Sequence, residues 1–320
     1  MFAKQQIKNA IKRVLGEKRY AQFVRILAPR KVATHYGARP IVQDIEAGAE
    51  LLRGILRSGS PAAIGKIGAS ELRVCREAEA IRLGRRTGFS ASVKHEIHLH
   101  SGLFPPSDAV LAEFARRYEA DCPEIDLLAA WYIEGEESFV ENHVPHAELI
   151  RLVALEPHMA PNPPWTALLA GKRVVVVSPF ARSIASQYAR REQVWAKLPG
   201  VLPDWRLRTV RAPLSDFLVK SPFPDWFAAL AHLEAELERE PFDVAIIGAG
   251  AFSVPLAVKA KKLGAVGIHL GGATQILFGV AGGRWQESDV LRPLATDAWV
   301  RPSGDEVPPD YRRMEGGCYW

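Results

Sequence analysis

The chain reads as an α/β protein with a mostly parallel sheet and helices on both faces, preceded by a basic amphipathic helical arm. Two observations carry that expectation. From Lys172 onward, short apolar runs alternate with helical segments at the spacing of βαβ units. The stretch FDVAIIGAGAFSVPLAVKAKKLGAVGIHLGG, residues 242–272, runs strand, glycine turn, helix and second strand, which makes the sheet Rossmann-like. At 48% hydrophobic and 24% charged over 320 residues, the chain is ordinary for a globular protein with a real core, and disordered and fibrous classes are excluded.

The elements follow in order. Residues 1–40 form the arm: Ile7, Ile11 and Val14 share a helical face opposite Lys4, Lys8 and Lys12, and Tyr20, Phe23, Val24 and Leu27 repeat the pattern. Residues 41–165 form the N-terminal α/β half. There Ile41 to Leu56 reads as a helix, Ala62 to Ile67 as a strand, and Glu71 to about Leu83 as a helix. Ser107 is the expected N-cap of a helix reaching Tyr118, and Asp126 to Trp131 is the next strand. Four prolines between Glu156 and Trp165 mark the internal boundary. In the C-terminal half, residues 166–320, Lys172 to Val177 has the β-branched run of a buried parallel strand and Ala181 to Lys197 is helical. Leu207 to Val210 (strand), Asp225 to Glu238 (helix), the glycine-rich unit and a closing segment from Ala273 to Val280 complete the alternation. The tail from Trp299 to Trp320 is aromatic enough to be expected to pack back on the body.

Charge is uneven. Residues 1–39 carry ten Lys or Arg and one acid, Glu17, a net of +9, which leaves the rest of the chain at about −4. Such an arm lies on an anionic membrane surface, or packs its apolar face on the domain with its charges merely solvated. It lacks the interleaved aromatics of a nucleic-acid reader. No stretch reaches the ~18–20 apolar residues of a membrane span, the N-terminus has no apolar signal core, and Cys75, Cys122 and Cys318 have neither disulfide nor metal spacing. The expected home is the cytoplasm, with peripheral membrane contact through the arm.

Three strand-to-helix loops carry the candidate chemistry. In GKIGASELR, residues 65–73, Glu71 stands in the first helical turn with Lys66, Gly68, Ser70 and Arg73 nearby. It is either a general base or metal ligand facing the crevice, or part of a helix start capped by Ser70. In VVVVSPFARSIASQ, residues 174–187, Ser178, Arg182 and Ser183 are the parts a phosphate needs at a helix start, or an ordinary Ser-Pro turn. In the third loop, Gly248 and Gly250 let a ligand approach the backbone, with Ser253 following. This loop is not read as an NAD or FAD fingerprint, because Ser253 replaces the third glycine and the next strand ends in His269 instead of a ribose-binding acid. If the sheet is parallel, all three loops lie on its carboxyl edge. KHEIHLH, residues 94–100, would put Glu96, His98 and His100 on one face of a strand as candidate metal ligands, though ~7 Å apart in steps along it. The acidic run Glu134, Glu136 and Glu137 reads as a solvated loop.

KIGASEL, VVVVSPF and above all AIIGAGAFSVPLAVKAKKLGAVGIHLGG resemble the GT-D-fold glycosyltransferases, bacterial enzymes that move a sugar from a nucleotide-sugar donor in surface glycan or glycoprotein synthesis. The resemblance spans roughly residues 60–280. That family has an Asp-x-Glu pair after an early strand and an Ile-Asp-Ile-Gly-His strand later; here they read Ala69-Ser70-Glu71 and Ile268-His269-Leu270-Gly271-Gly272. The resemblance implies a nucleotide-sugar donor, a glycan or lipid-linked acceptor, and Glu71 as the base or donor-positioning group. Lys66 and Arg182 would offset the diphosphate charge. A Mn or Mg ion belongs to the same expectation, but Ala69 removes half of the acidic pair. The C-terminal half, from LEPHMAPNPPW through IHLGGATQILFG to GGCYW, resembles an uncharacterised bacterial family associated with surface polysaccharide synthesis. The alternatives are a non-catalytic nucleotide-sugar-binding protein, or a Rossmann-like oxidoreductase or methyltransferase.

Overall fold

In the computed structural model, residues 33–320 are described apart from Asp216 and residues 284–287. The apolar faces of the arm, Ile7 to Leu27, lie outside the described residues. The strands are β1 (His35–Tyr36), β2 (Arg39–Val42), β3 (Ala62–Gly65), β4 (Ile125–Ala130), β5 (Glu148–Arg151), β6 (Arg173–Ser178), β7 (Arg206–Arg211), β8 (Val244–Ile247) and β9 (Val266–His269). They form one nine-stranded sheet in the order β1-β2-β5-β4-β3-β9-β8-β6-β7, parallel throughout except for the β1–β2 hairpin. The two halves of the chain share this sheet through β3 and β9, where Ile64 pairs with Ile268.

The helices are α1 (Ile45–Ser58), α2 (Ala69–Arg82), α3 (Ala91–Ser101), α4 (Asp108–Asp121), α5 (Glu136–His143), α6 (Ala181–Tyr188), α7 (Arg191–Val194), α8 (Trp226–Glu238), α9 (Ser253–Lys262) and α10 (Ala273–Leu277). β3, β8 and β9 are buried along their whole length, which is why they read as unbroken apolar runs. Ile64, Val174, Val176, Ile246 and Ile268 join one core with Leu52 and Leu56 of α1, Ile184 and Tyr188 of α6, and Trp165. On the other face Trp226 of α8 stacks on Phe252 at 5.2 Å and meets Phe114 of α4 edge-on at 5.2 Å. Side-chain caps start four helices: Asp44, Ser90, Ser107 and Asp225 accept from the amides of Ala47, Val93, Val110 and Ala228.

Three local expectations change. Ile41 and Val42 do not begin a helix; they pair with Leu149 and Ile150 of β5, and α1 starts only after the Asp44 cap. The segment 94–100 is not a strand but the body of α3, because Ser90 caps a helix whose Val93, Ile97 and Ser101 recur every four residues on its buried side. The helix expected over 181–197 breaks after Tyr188 and resumes as α7. The tail packs on the body: Trp320 is buried and donates from Nε1 to the Glu306 carbonyl at 2.8 Å. Among the described residues no helix is long and apolar enough to cross a membrane.

Candidate functional site

A parallel sheet directs every strand-to-helix loop to one edge. The chain leaves β6 outward to β7 and leaves β8 inward to β9, so the direction of winding reverses between these two neighbours, the position where open α/β sheets bind ligands. At this edge the loops after β3, β4, β6, β7, β8 and β9 surround a pocket of about 440 Å³. Lys66, Gly68, Ser70, Glu71, Arg73, Ser178, Gly248, Gly250, His269 and Gly271 all line it. A second depression, about 520 Å³, lies at the amino edge around Lys172, Arg173 and Asp243, and contains none of the predicted site residues.

Glu71 stands at the start of α2, whose N-cap is Gly68 and not Ser70. Its carboxylate folds back over that glycine: a Cβ at residue 68 would lie 1.9 Å from Glu71 Oε2. Gly68 therefore leaves room for the carboxylate, not for an unusual backbone, since its φ of −73° suits any residue. Ser70 Oγ and Ser101 Oγ lie 2.8 Å apart beside it, and Ser70 Oγ is 3.5 Å from Glu71 Oε2. Burial pushes the Glu71 carboxyl above the usual carboxylate range, against the opposing pull of its own amide, Ser101, the Lys66 ammonium and Ser70.

Lys66 and His269 come from adjacent strands. His269 is buried and its Nδ1 is 3.1 Å from the Lys66 carbonyl, which only accepts, so Nδ1 carries the proton and Nε2 presents a lone pair. Desolvation, helped by the Lys66 ammonium, pushes the imidazole down to about 3, so it is neutral at physiological pH. Across the pocket floor, Gly271 takes φ 64° and passes under Lys66 Nζ, which a Cβ there would approach to 3.2 Å. The ammonium also lies 4.5 Å from the ring centre of Trp131, in the loop after β4.

The solvated reading of the acidic run holds for Glu134 and Glu137, which are exposed, and fails for Glu136. Glu136 is not solvated but fully buried, accepting from Trp131 N at 3.0 Å, Ile133 N at 3.3 Å and Tyr36 Oη at 2.7 Å. These bonds hold a turn in which Tyr132 takes φ 59°, a conformation rare outside glycine, and so place Trp131 over Lys66. Sequence reasoning passed over Glu136 because its partners come from 100 residues away and from the loop itself.

The glycine-rich loop packs tightly. A Cβ at Gly248 would lie 2.5 Å from the Gly271 carbonyl, and one at Gly250, φ 56°, would lie 2.5 Å from the Ser101 carbonyl. Ser253 is not a ligand contact: it is fully buried beneath the loop, with Oγ accepting from Ala249 N at 3.0 Å. The close helix-to-sheet approach that a third glycine would have permitted is supplied by Gly267 on β9, where a Cβ would lie 2.2 Å from the Ala257 carbonyl. Ser178 Oγ likewise serves its own turn, accepting from Phe180 N at 3.2 Å.

Arg182 and Ser183 are not brought into the pocket. The N-terminus of α6, expected to bind a phosphate, holds the chain's own carboxylate: Glu306, fully buried, accepts from Arg182 N at 2.8 Å, from Ser183 N at 3.2 Å and from Ser183 Oγ. The Arg182 guanidinium is exposed and paired with Asp305 at 3.2 Å. On α3, Glu96 and His100 share the pocket-facing side while His98 packs edge-on to Phe217 on another. Glu96 is paired with Arg73, and among the described residues no three His, Cys, Asp or Glu side chains are grouped to hold a metal ion. Comparison of the chain with protein-family models, with curated proteins and with solved structures finds no match in any of the three.

Proposed function

We propose that the protein binds a nucleotide-sugar by its diphosphate and transfers the sugar to a glycan or lipid-linked acceptor. The observation that carries this reading is the meeting of Lys66 after β3, Glu71 at the start of α2 and His269 at the end of β9 in one pocket that extends to the loops after β6 and β8, where the winding reverses. Lys66 offsets the diphosphate charge, and the side-chain-free surface at Gly248 to Gly250 lets phosphate oxygens approach the main chain. Neutral His269 accepts a sugar hydroxyl at Nε2. Glu71, whose carboxyl burial raises above the usual carboxylate range, is the group that takes a proton from the acceptor. Arg182 leaves the list of donor-binding residues, since Asp305 and Glu306 engage it.

The residues do not fit a protein-held Mn or Mg ion: Ala69 has no side-chain oxygen to offer, Glu71 is folded onto Gly68, and Glu96 is paired with Arg73. The same observation favours a second reading, a nucleotide-sugar-binding protein without turnover. A cytoplasmic location, with residues 1–39 touching the membrane surface, completes the proposal.

Thermal melts with UDP-, GDP- and ADP-sugars, NAD and S-adenosylmethionine, each with and without manganese, test the ligand. A ligand at 100 times its Kd adds about 2.7 kcal/mol, and a shift with NAD or S-adenosylmethionine alone refutes the proposal. Transfer or donor hydrolysis then decides between the two readings. Glu71→Gln should retain donor binding and cut turnover by roughly 100- to 10,000-fold.

A further inference from the structure

At the pocket rim the main chain makes a turn that a tyrosine adopts only under constraint. Tyr132 takes φ 59°, and strained residues of this kind gather at ligand sites. The turn sends neighbouring side chains to different places: Trp131 lines the pocket, while Tyr132 packs edge-on to Tyr36 of the β1–β2 hairpin, 6.3 Å between ring centres. Glu136 is the brace. Fully buried, it accepts from the amides of Trp131 and Ile133 at 3.0 and 3.3 Å and from the Tyr36 hydroxyl at 2.7 Å. A buried carboxylate and a left-handed tyrosine are both costly, and what they fix together is the turn that carries Trp131.

What Trp131 meets in the pocket is the Lys66 ammonium, 4.5 Å from its ring centre. A lysine carries its charge on a flexible four-carbon stem, so the position of that charge is set by its surroundings. Two carboxylates feel it. Burial raises the carboxyls of Glu71 and Glu156, and the Lys66 ammonium pulls both the other way. Left to these acids alone, the ammonium would be drawn onto a carboxylate and away from an incoming anion. The face of an indole attracts a cation without neutralising it, so a lysine held there keeps its charge for a ligand.

We propose that Trp131 is a positioning residue that holds the Lys66 ammonium toward the pocket for an anionic ligand, and that the Glu136–Tyr36 brace holds Trp131 in turn. This role rests on the reading of Lys66 as the diphosphate contact, and it extends that contact to Tyr36 and Glu136, which lie outside the pocket.

Calorimetric titration of the full chain with inorganic pyrophosphate, UDP, GDP and ADP tests it. The proteins are the wild type, Trp131→Leu, Trp131→Phe, Tyr36→Phe and Lys66→Met, with the doubles that join Lys66→Met to Trp131→Leu and to Tyr36→Phe. The wild type should bind at least one of these anions, and Lys66→Met should weaken it by about ten-fold or more. Trp131→Leu should weaken it by roughly five-fold, about the worth of a cation–π contact, whereas Trp131→Phe, which keeps an aromatic face, should stay within about two-fold of wild type. Tyr36→Phe, acting from outside the pocket, should weaken it by roughly two- to three-fold. In the Lys66→Met background neither Trp131→Leu nor Tyr36→Phe should weaken it further, because the residue they act through is gone. A purely structural turn would lower Tm in these variants without that dependence on Lys66. Should Trp131→Leu fail to fold, Tyr36→Phe and its double decide by the same criteria. A wild type that binds none of the anions overturns the diphosphate reading and this role with it. Affinity that survives Trp131→Leu and Tyr36→Phe undiminished, or that falls as far without Lys66 as with it, overturns the role alone.

Discussion

Removing the Glu306 carboxylate should destabilise the fold by about 3 kcal/mol and loosen the wall of the pocket. Glu306 is fully buried and accepts from two main-chain amides at the start of α6 and from Ser183 Oγ, so Glu306→Ala strands three donors at once. An unsatisfied buried donor costs about 1–3 kcal/mol, and loss of a negative charge at a helix N-terminus adds about 0.3–1 kcal/mol. The lower end applies per donor, because the Arg182 amide lies on a partly exposed turn. For a unit spanning His35–Trp320, with an unfolding entropy of about 2.1 cal/mol/K per residue, 3 kcal/mol lowers Tm by roughly 5 °C. Glu306→Gln keeps one acceptor oxygen and should fall between the two. The effect reaches the pocket because the Glu306 carbonyl holds Trp320 Nε1, and Trp320 lines the pocket. Differential scanning calorimetry measures the first consequence and nucleotide titration the second. A Glu306→Ala protein that melts within about 1 °C of wild type would refute the argument that this carboxylate, and not a bound phosphate, completes α6.

Other outcomes follow from the same geometry. Arg182→Ala should leave nucleotide affinity within about two-fold of wild type, because Arg182 is exposed, paired with Asp305 and outside the pocket; a loss of 1.5–3 kcal/mol, about the worth of a charged hydrogen bond, would return it to the site. Gly68→Ala places a methyl 1.9 Å from Glu71 Oε2, the flexible end of a side chain, so the fold should lose under ~1 kcal/mol while turnover falls as in Glu71→Gln; full activity in Gly68→Ala would show that the folded-back carboxylate is not the working one. His269 and His158 are held down to about 3 and about 4 by burial, whereas their unfolded value is near 6.5. The unfolded chain therefore binds more protons below pH 6.5, and stability is lost as pH falls from 6.5 toward those values, by about 2 kcal/mol per histidine at pH 5. Urea melts from pH 7 to 5 should show His269→Asn losing less than wild type. Comparing the two proteins cancels the opposite contribution of Glu71 and Glu136, whose carboxyls are raised by burial. Identical slopes would mean that His269 is charged in the fold.

What the sequence alone determined is what local chemistry can dictate. The Val174 to Val177 and Val244 to Ile247 runs read as strands because both of their faces are buried, and Ser107 and Asp225 announce helix starts because each accepts an amide three residues on. Parallel order followed from the alternation, and with it the gathering of Lys66, Glu71, Gly248 and His269 at one edge. The Lys94 to His100 segment misled because its His-x-His alternation resembles a strand, while the burial of Val93, Ile97 and Ser101 that makes it a helix depends on its packing against the rest of the fold. Tertiary structure alone decided that Glu306 caps α6 from more than 120 residues away, that Glu136 and Tyr36 fix the Trp131 loop, and that the tail turns the Gln275 amide. Each of these is a buried polar group satisfied across a long span of chain. A hydrogen bond leaves no periodicity in the sequence around either partner, so only the folded chain shows which carboxylate meets which amide.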